Sequence, residues 1–406
     1  LLKKQHYFDD QFTHYTKKTK KEFSVNNKLN HEGTILEHLL LQNIVGFLNT
    51  GKHGYTRLED ADWNDGLDMA HDLGETIAFS HFYANNLAVL ADLIENLPTE
   101  SIDIIEGLYL LLQKELSLPE YFDRVQSFDE NIKTYDKKTI IFQLRKLSDQ
   151  SKQTLREKAF FEGYFQSYIN NDGIYQDKKN QMSLTGQTMA LLNEVASFEQ
   201  AKSVAIKTKE LLFDDSIGGY RLNSNYQDIL TNMGRAYGFA YGHKENGAVF
   251  AHMAVMYAYG LYTYDLVSEG YEAYRTLLDQ ALKEDSGVLA GVPEYFNDRG
   301  VGKYSYLTGS ASWVIKLLRT EVFGIHLNLG ELSLKPKLTQ RSFVDGKASI
   351  KTYLFGKLAE ITYYNPKNLD FNDYQISKIL IDDKEIKERI FNKAFSRMDV
   401  HLDDKI

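Results

Sequence analysis

The chain has 406 residues, a formal net charge of -9 and 43% hydrophobic residues, enough for one large core and room for a second domain. It contains no cysteine, which excludes disulfides and thiolate metal sites, and its acidic balance argues against nucleic acid as a partner. No apolar run approaches the ~20 residues of a membrane span, so no membrane role is expected, and cysteine-free composition fits a cytoplasmic protein. The opening residues, LLKKQHYFDDQFTHYTKK, have no uninterrupted apolar core and no initiator Met. They read as the interior of a longer polypeptide rather than as a secretory signal.

Prolines occur only at 98, 119, 293, 336 and 366, which leaves room for long helices. Apolar residues recur with helical spacing over 34–48 and 76–97, then over 101–117, 150–168, 183–196, 198–213, 248–266, 269–284 and 304–319. Turns at Asn171-Asp172-Gly173 and Gly218-Gly219 separate some of these segments. No strict repeat is present, so a closed double ring of helices is expected rather than an open array. From residue 324 the pattern alternates. GIHLNLGELSLKPKLT, the two halves of ASIKTYLFGKLAEITYYN around Gly356, ISKILIDDKEI and MDVHLDDKI all read as strands. The expectation is a mainly α helical part over 1–323 and a small β domain over 324–406.

Three stretches carry chemistry. RLEDADWNDGLDMA (57–70) places five acids between Glu59 and Asp68 around Trp63, one of only two tryptophans. Like-charge crowding costs stability. As a calcium loop it fails, because Asp65 takes the glycine slot and His71 the glutamate slot. A solvated acidic turn is the plain alternative. An indole between Asp62 and Asn64 instead suits the apolar face and hydroxyl rim of a sugar. Asp65, desolvated among other acids, would stay protonated and be able to protonate a departing glycosidic oxygen. YGHKENGAVFAHMAVMYAYG (241–260) sets Lys244, Glu245, Asn246 and Gly247 before an apolar helix containing His252, either a structural histidine or an anion ligand. GKYSYLTGSASWVIKLL (302–318) puts Thr308, Gly309 and Ser310 at a helix start, which is either a cap or an anion site. It is not a Walker loop. One acid with one anion pocket suffices for a phosphorylase, whereas a glycoside hydrolase needs a second carboxylate.

DWNDG, KENG followed by His252, and TGSASW occur in the order and at the separations of the inverting phosphorylases of glycoside hydrolase family 94, which the chain resembles over roughly 34–340. The resemblance implies an (α/α)6 barrel, here lacking its first helices, followed by a small C-terminal β domain. It implies Asp65 as general acid, Trp63 at the donor-sugar subsite and Glu245 as a sugar-binding acid, with Asn64 and Lys244 on the same sugar-binding side. His252, Thr308 and Gly309 match the phosphate site. Inorganic phosphate is the implied co-substrate, with no metal and no other cofactor. The family's N-terminal β-sandwich and first barrel helices, with the sugar- and phosphate-binding residues they carry, are expected from a preceding portion of the polypeptide. LEDADWNDGLDMA, PEYFN and YLTGSASW look most similar to the 1,2-β-oligoglucan phosphorylases. The implied substrate is therefore a linear β-1,2-glucooligosaccharide and the product α-glucose 1-phosphate. Other readings are a cellobiose-type specificity, a cyclic β-1,2-glucan synthase domain, an inverting hydrolase and a non-catalytic sugar-binding fragment.

Overall fold

Among the described residues, helices dominate up to Val322 and strands from Ile325 to Asp404. A computed structural model describes residues 4–7, 31–59, 65–127, 131–304 and 309–405. It divides into two compact units, one of residues 1–179 with 195–197 and 230–235, the other of 180–194, 198–229 and 236–406.

The first unit is built on α1 (Ile35–Leu48), α2 (Ile77–Glu95), α3 (Glu106–Gln113), α4 (Leu118–Ser127) and α5 (Lys137–Lys158). Caps fix where three of them start. The hydroxyls of Thr34 and Thr76 and the carboxylate of Asp136 accept from the backbone N–H of Glu37, Phe79 and Thr139. One core joins Leu40, Leu41 and Ile44 of α1, Leu87 and Ile94 of α2, Leu108 and Leu111 of α3, Tyr121 of α4 and Leu144 of α5. Arg145 bonds Asp92 and Glu95 while Lys152 reaches Asn85, so α2 and α5 run antiparallel. At 19 residues, α2 is long and apolar enough to cross a membrane. Its apolar side packs into this core and its polar side makes the bonds to α5 just named, as in a core helix.

Two expected helices are differently placed. Residues 101–105 are a strand, paired with 132–136 (Ser101↔Asp136 to Ile105↔Ile132), with Ile102 and Ile104 buried and Ser101 and Asp103 exposed. The helix expected over 150–168 runs instead over 137–158. The aromatic run beyond it turns back as a hairpin, Phe160–Phe161 against Tyr164–Phe165, with Glu162 and Gly163 both at positive φ.

The second unit holds α6 (Leu184–Leu192), α7 (Phe198–Leu212), α8 (Ala251–Thr263), α9 (Val267–Leu282) and α10 (Gly309–Lys316), which runs on as a wider turn to Val322. Gly260 lets α8 touch α6, since a Cβ there would stand 2.7 Å from that of Leu191. The strand-rich stretch forms a five-stranded sheet in the order 347–354, 357–364, 397–404, 374–381, 384–386. The 357–364 and 397–404 strands are parallel and the other neighbours antiparallel. Phe355-Gly356 and Asp382-Asp383, all at positive φ, make its two-residue turns. Tyr363 donates to the Phe323 carbonyl at 2.6 Å, and Lys337 donates to the Tyr262 carbonyl at 2.5 Å, fastening the strand-rich stretch to the helical part of the unit.

Candidate active site

In the first unit the chain segments on either side of the acidic stretch are held together as a neck. Thr56–Arg57 pairs with Glu75–Thr76, which pairs in turn with Tyr168–Ile169. Asp65 opens a short 3-10 turn, Asp65–Ala70. Trp63, Asn64 and the side chain of Asp65 lie outside the described residues, as do Asp60 and Asp62. Leu67 and Ala70 are fully buried and anchor the turn from below. Gly234 passes so close that a Cβ there would stand 2.2 Å from the Gly66 carbonyl oxygen. The next residue, Arg235, donates its backbone N–H to one Asp68 oxygen at 2.9 Å and its guanidinium to the other at 3.1 Å. The Arg235 N–H, with the guanidinium beside it, holds the Asp68 carboxyl below its ordinary value. Asn171 closes the far end. Its carboxamide oxygen accepts from the N–H of Leu73 and Gly74, and its nitrogen donates to the Met69 carbonyl.

Because the Gly234 contact is backbone against backbone, Gly234→Ala is expected to push residues 66–68 aside. The expected cost is about 2 kcal/mol or more in chemical denaturation, with faster proteolysis in 58–74. An unchanged denaturation midpoint would show that the contact does not hold the turn.

The other two motifs lie in the second unit, where one small antiparallel sheet gathers them. Its strands are 249–250, 295–296 and 302–303. The first leads directly into α8, so His252 is the second residue of that helix. Imidazole and Gly309 are in contact. A Cβ on Gly309 would stand 3.0 Å from His252 Cε1 and 3.2 Å from Nδ1. The Ser310 hydroxyl donates to the Pro293 carbonyl at 3.3 Å, which ties the start of α10 to PEYFN. Trp313 lies 6.2 Å from His252, ring to ring, and the Lys316 ammonium sits 4.3 Å from the Trp313 ring. Burial pushes His252 below its ordinary value, which favours the neutral ring, a form that carries one N–H. Thr308 lies outside the described residues.

The 244–247 turn is tightly specified. Gly242 donates to the Asn246 carbonyl at 2.7 Å, Asn246 donates to the Phe239 carbonyl, and Gly247 N–H donates to Asn223. At Gly247, φ is +76° and a Cβ would stand 2.2 Å from the Tyr241 ring, so glycine is required. Lys244 is itself at φ +48°, with its ammonium 4.7 Å from the Phe239 ring and 5.8 Å from that of Tyr304. Glu245 is half-buried, and its charge helps to raise the Tyr295 phenol, after burial and Tyr304. His252 and Gly309 thus meet directly, and Lys244 is placed among Phe239 and Tyr304. Sequence reasoning missed Gly234, Arg235 and Tyr304. Asn171 was visible only as a turn residue.

A family model for the glycosyl hydrolase 94 superfamily, catalytic domain, matches residues 116–324, just over half of the chain. The chain belongs to the glycosyl hydrolase 94 superfamily. The matched part of this glycosyl hydrolase 94 chain contains the 244–247 turn, His252 and Gly309; the acidic loop precedes it. Solabiose phosphorylase of Paenibacillus borealis is 20% identical over 372 residues, which are 88% of this chain and 43% of that protein. The chain therefore spans less than half the length of this curated relative. Solved structures show weaker likeness. An uncharacterized conserved protein of Thermus thermophilus gives TM-score 0.33 at 14% identity, over 58% of this chain and 46% of that one. A family GH92 α-mannosidase of Bacteroides thetaiotaomicron gives 0.32 at 12%, over 81% and 36%. Among the described residues no group of three or more His, Asp or Glu is gathered as metal ligands would be.

Proposed function

We propose that this chain is the catalytic part of an inverting glycoside phosphorylase, in which Asp65 protonates the glycosidic oxygen while inorganic phosphate attacks the anomeric carbon from the opposite face. The observation that carries the reading is the contact of His252 with Gly309 at the first turn of α10. An imidazole N–H beside the N–H groups of a helix start is a site for an oxyanion, and phosphate supplies both the charge and the nucleophile. Lys244 and Glu245, with Trp63 and Asn64, take the sugar; Thr308 joins Gly309 on phosphate. No metal or further cofactor enters this chemistry. The helices up to residue 323 then belong to an (α/α)6 barrel completed by a preceding portion of the polypeptide, and 324–406 to a C-terminal β domain. A cytoplasmic location would supply the phosphate.

The substrate we favour is a linear β-1,2-glucooligosaccharide, on the likeness of LEDADWNDGLDMA, PEYFN and YLTGSASW to 1,2-β-oligoglucan phosphorylases. The similarity to a solabiose phosphorylase gives solabiose a place beside it. Incubating the full-length protein with phosphate and a panel of β-linked glucooligosaccharides and solabiose, and assaying sugar 1-phosphate, tests both. An inverting hydrolase would release free sugar without phosphate, and a sugar-binding fragment would release nothing. For His252→Ala the expected change is a rise of about tenfold or more in the phosphate KM, the cost of one hydrogen bond to a charged group. An unchanged phosphate KM would remove His252 from the site.

A further inference from the structure

The neck of the acidic stretch contains a buried carboxyl group, hydrogen-bonded to an imidazole, that the proposed chemistry does not use. Glu75, the first residue after the loop, is 1% exposed. One of its oxygens accepts from the backbone N–H of His53 at 3.0 Å and lies 2.7 Å from His53 Nδ1; the other accepts from the Tyr55 N–H at 2.9 Å. A carboxylate only accepts, so Nδ1 carries the proton. Gly51 makes this possible, because a Cβ there would stand 2.5 Å from Glu75 Cδ. On its other side the His53 ring meets the 170–175 turn, edge-on to Tyr175 at 6.0 Å and 3.1 Å from where a Gly173 Cβ would lie. That same turn contributes Asn171, which holds Met69, Leu73 and Gly74. Glu75 itself pairs across the neck with Arg57. The 51–55 turn, the 170–175 turn and both ends of the loop are therefore joined through one imidazole and one carboxylate.

We propose that the His53–Glu75 pair is a positioning element for the proton donor. It fixes residues 65–74 so that the acid on the loop meets the leaving oxygen, and it touches neither sugar nor phosphate. The inference rests on Asp65 being the general acid. A positioning role and a purely structural one separate by leaving group. With an oligosaccharide, a phosphate oxygen forms the bond to the anomeric carbon, the glycosidic C–O bond breaks, and the acid's proton goes to the departing alcohol oxygen. With β-glucosyl fluoride the same bond forms and fluoride leaves as the anion, without a proton.

In the full-length protein, kcat/KM with phosphate is compared for a β-linked glucooligosaccharide and for β-glucosyl fluoride, in wild type, His53→Ala, His53→Asn and Asp65→Asn. The loss in His53→Ala is expected to be at least about tenfold greater on the oligosaccharide than on the fluoride, because misplacing a general acid forfeits part of its ~10²–10⁴-fold contribution. His53→Asn, whose amide N–H stands where Nδ1–H stood, should recover most of that difference. Equal losses of His53→Ala on both donors, while Asp65→Asn shows the selective loss, would overturn the positioning role alone. Equal losses in Asp65→Asn would overturn the general-acid assignment, and the positioning role with it. Should His53→Ala fail to fold, selective loss in His53→Gln, whose amide cannot reach the Nδ1 position, takes its place in the comparison.

Discussion

Asp65→Asn is expected to lower phosphorolysis of a β-linked glucooligosaccharide by ~10²–10⁴-fold and to leave the denaturation midpoint of the full-length protein near that of wild type. Asparagine matches the carboxyl in shape and cannot supply the proton. The 65–70 turn is held by Leu67, Ala70, Gly234 and the Asp68–Arg235 pair, so the substitution leaves its anchors in place. A general acid works only while protonated, so wild-type kcat/KM should decline as pH rises through the donor's pKa. That alkaline decline should be absent from the residual activity of Asp65→Asn. Asp68 offers a contrast three residues on. Arg235 keeps it ionised, which suits an anchor and disqualifies a proton donor. Asp68→Asn weakens one exposed pair and should therefore retain the alkaline decline. Wild-type turnover in Asp65→Asn, or an unchanged pH profile, would assign the proton to another residue.

The parts of the fold legible in sequence were those whose periodicity is local. Helices α1, α2, α7, α8 and α9 fall within a few residues of where apolar spacing puts them, and the hairpin around Gly356 is where alternation meets a turn residue. The failures have separate causes. Ile102 and Ile104 belong to a strand only because 132–136 pairs with it, and nothing within 101–117 records that partner. Residues 137–149 do carry a helical apolar spacing, Ile140, Leu144 and Leu147, after the Asp136 cap, and a reading that starts the helix at 150 passes over it. Pro119 lies just past the apolar stretch that ends at 117, yet it sits in the first turn of α4, where its missing N–H has no intrahelical partner to lose.

The site divides in the same way. KENG, His252 and TGSASW were legible as motifs, and the contact of His252 with Gly309 joins two of them from distant parts of the chain. What was illegible is the support. Arg235 is 167 residues from Asp68, the carboxylate it holds, and Gly234 is as remote from the turn it passes. Glycine there signals nothing until the backbone it passes is known. Glu75 reads as an ordinary acid before a helix, and only the fold shows it desolvated under the 51–55 turn.

Acidification is expected to destabilise the first unit through His81. This residue lies in the second turn of α2, is 0% exposed and stands edge-on to Phe165 at 5.1 Å. Neither ring nitrogen has a hydrogen-bond partner among the described residues. Burial pushes its pKa down to about 3, because a charged ring there would have neither water nor a counter-ion. In the unfolded chain the value returns to about 6.5. Well above pH ~6.5 both states are neutral and the residue makes no pH-dependent contribution. As pH falls below ~6.5 the unfolded chain takes up a proton that the folded chain refuses, and stability is lost progressively until pH approaches the folded value. At about pH 4.5 the loss amounts to about 2–3 kcal/mol, from roughly 1.36 kcal/mol per unit over about two units. His81→Leu removes the titrating group and an unsatisfied polar ring while keeping the space filled. Its advantage over wild type in chemical denaturation of the full-length protein should therefore widen by about 2–3 kcal/mol between about pH 7.5 and about pH 4.5. Parallel stability curves for wild type and His81→Leu across that range would mean that the ring is solvated or paired, and that acid acts on this fold elsewhere.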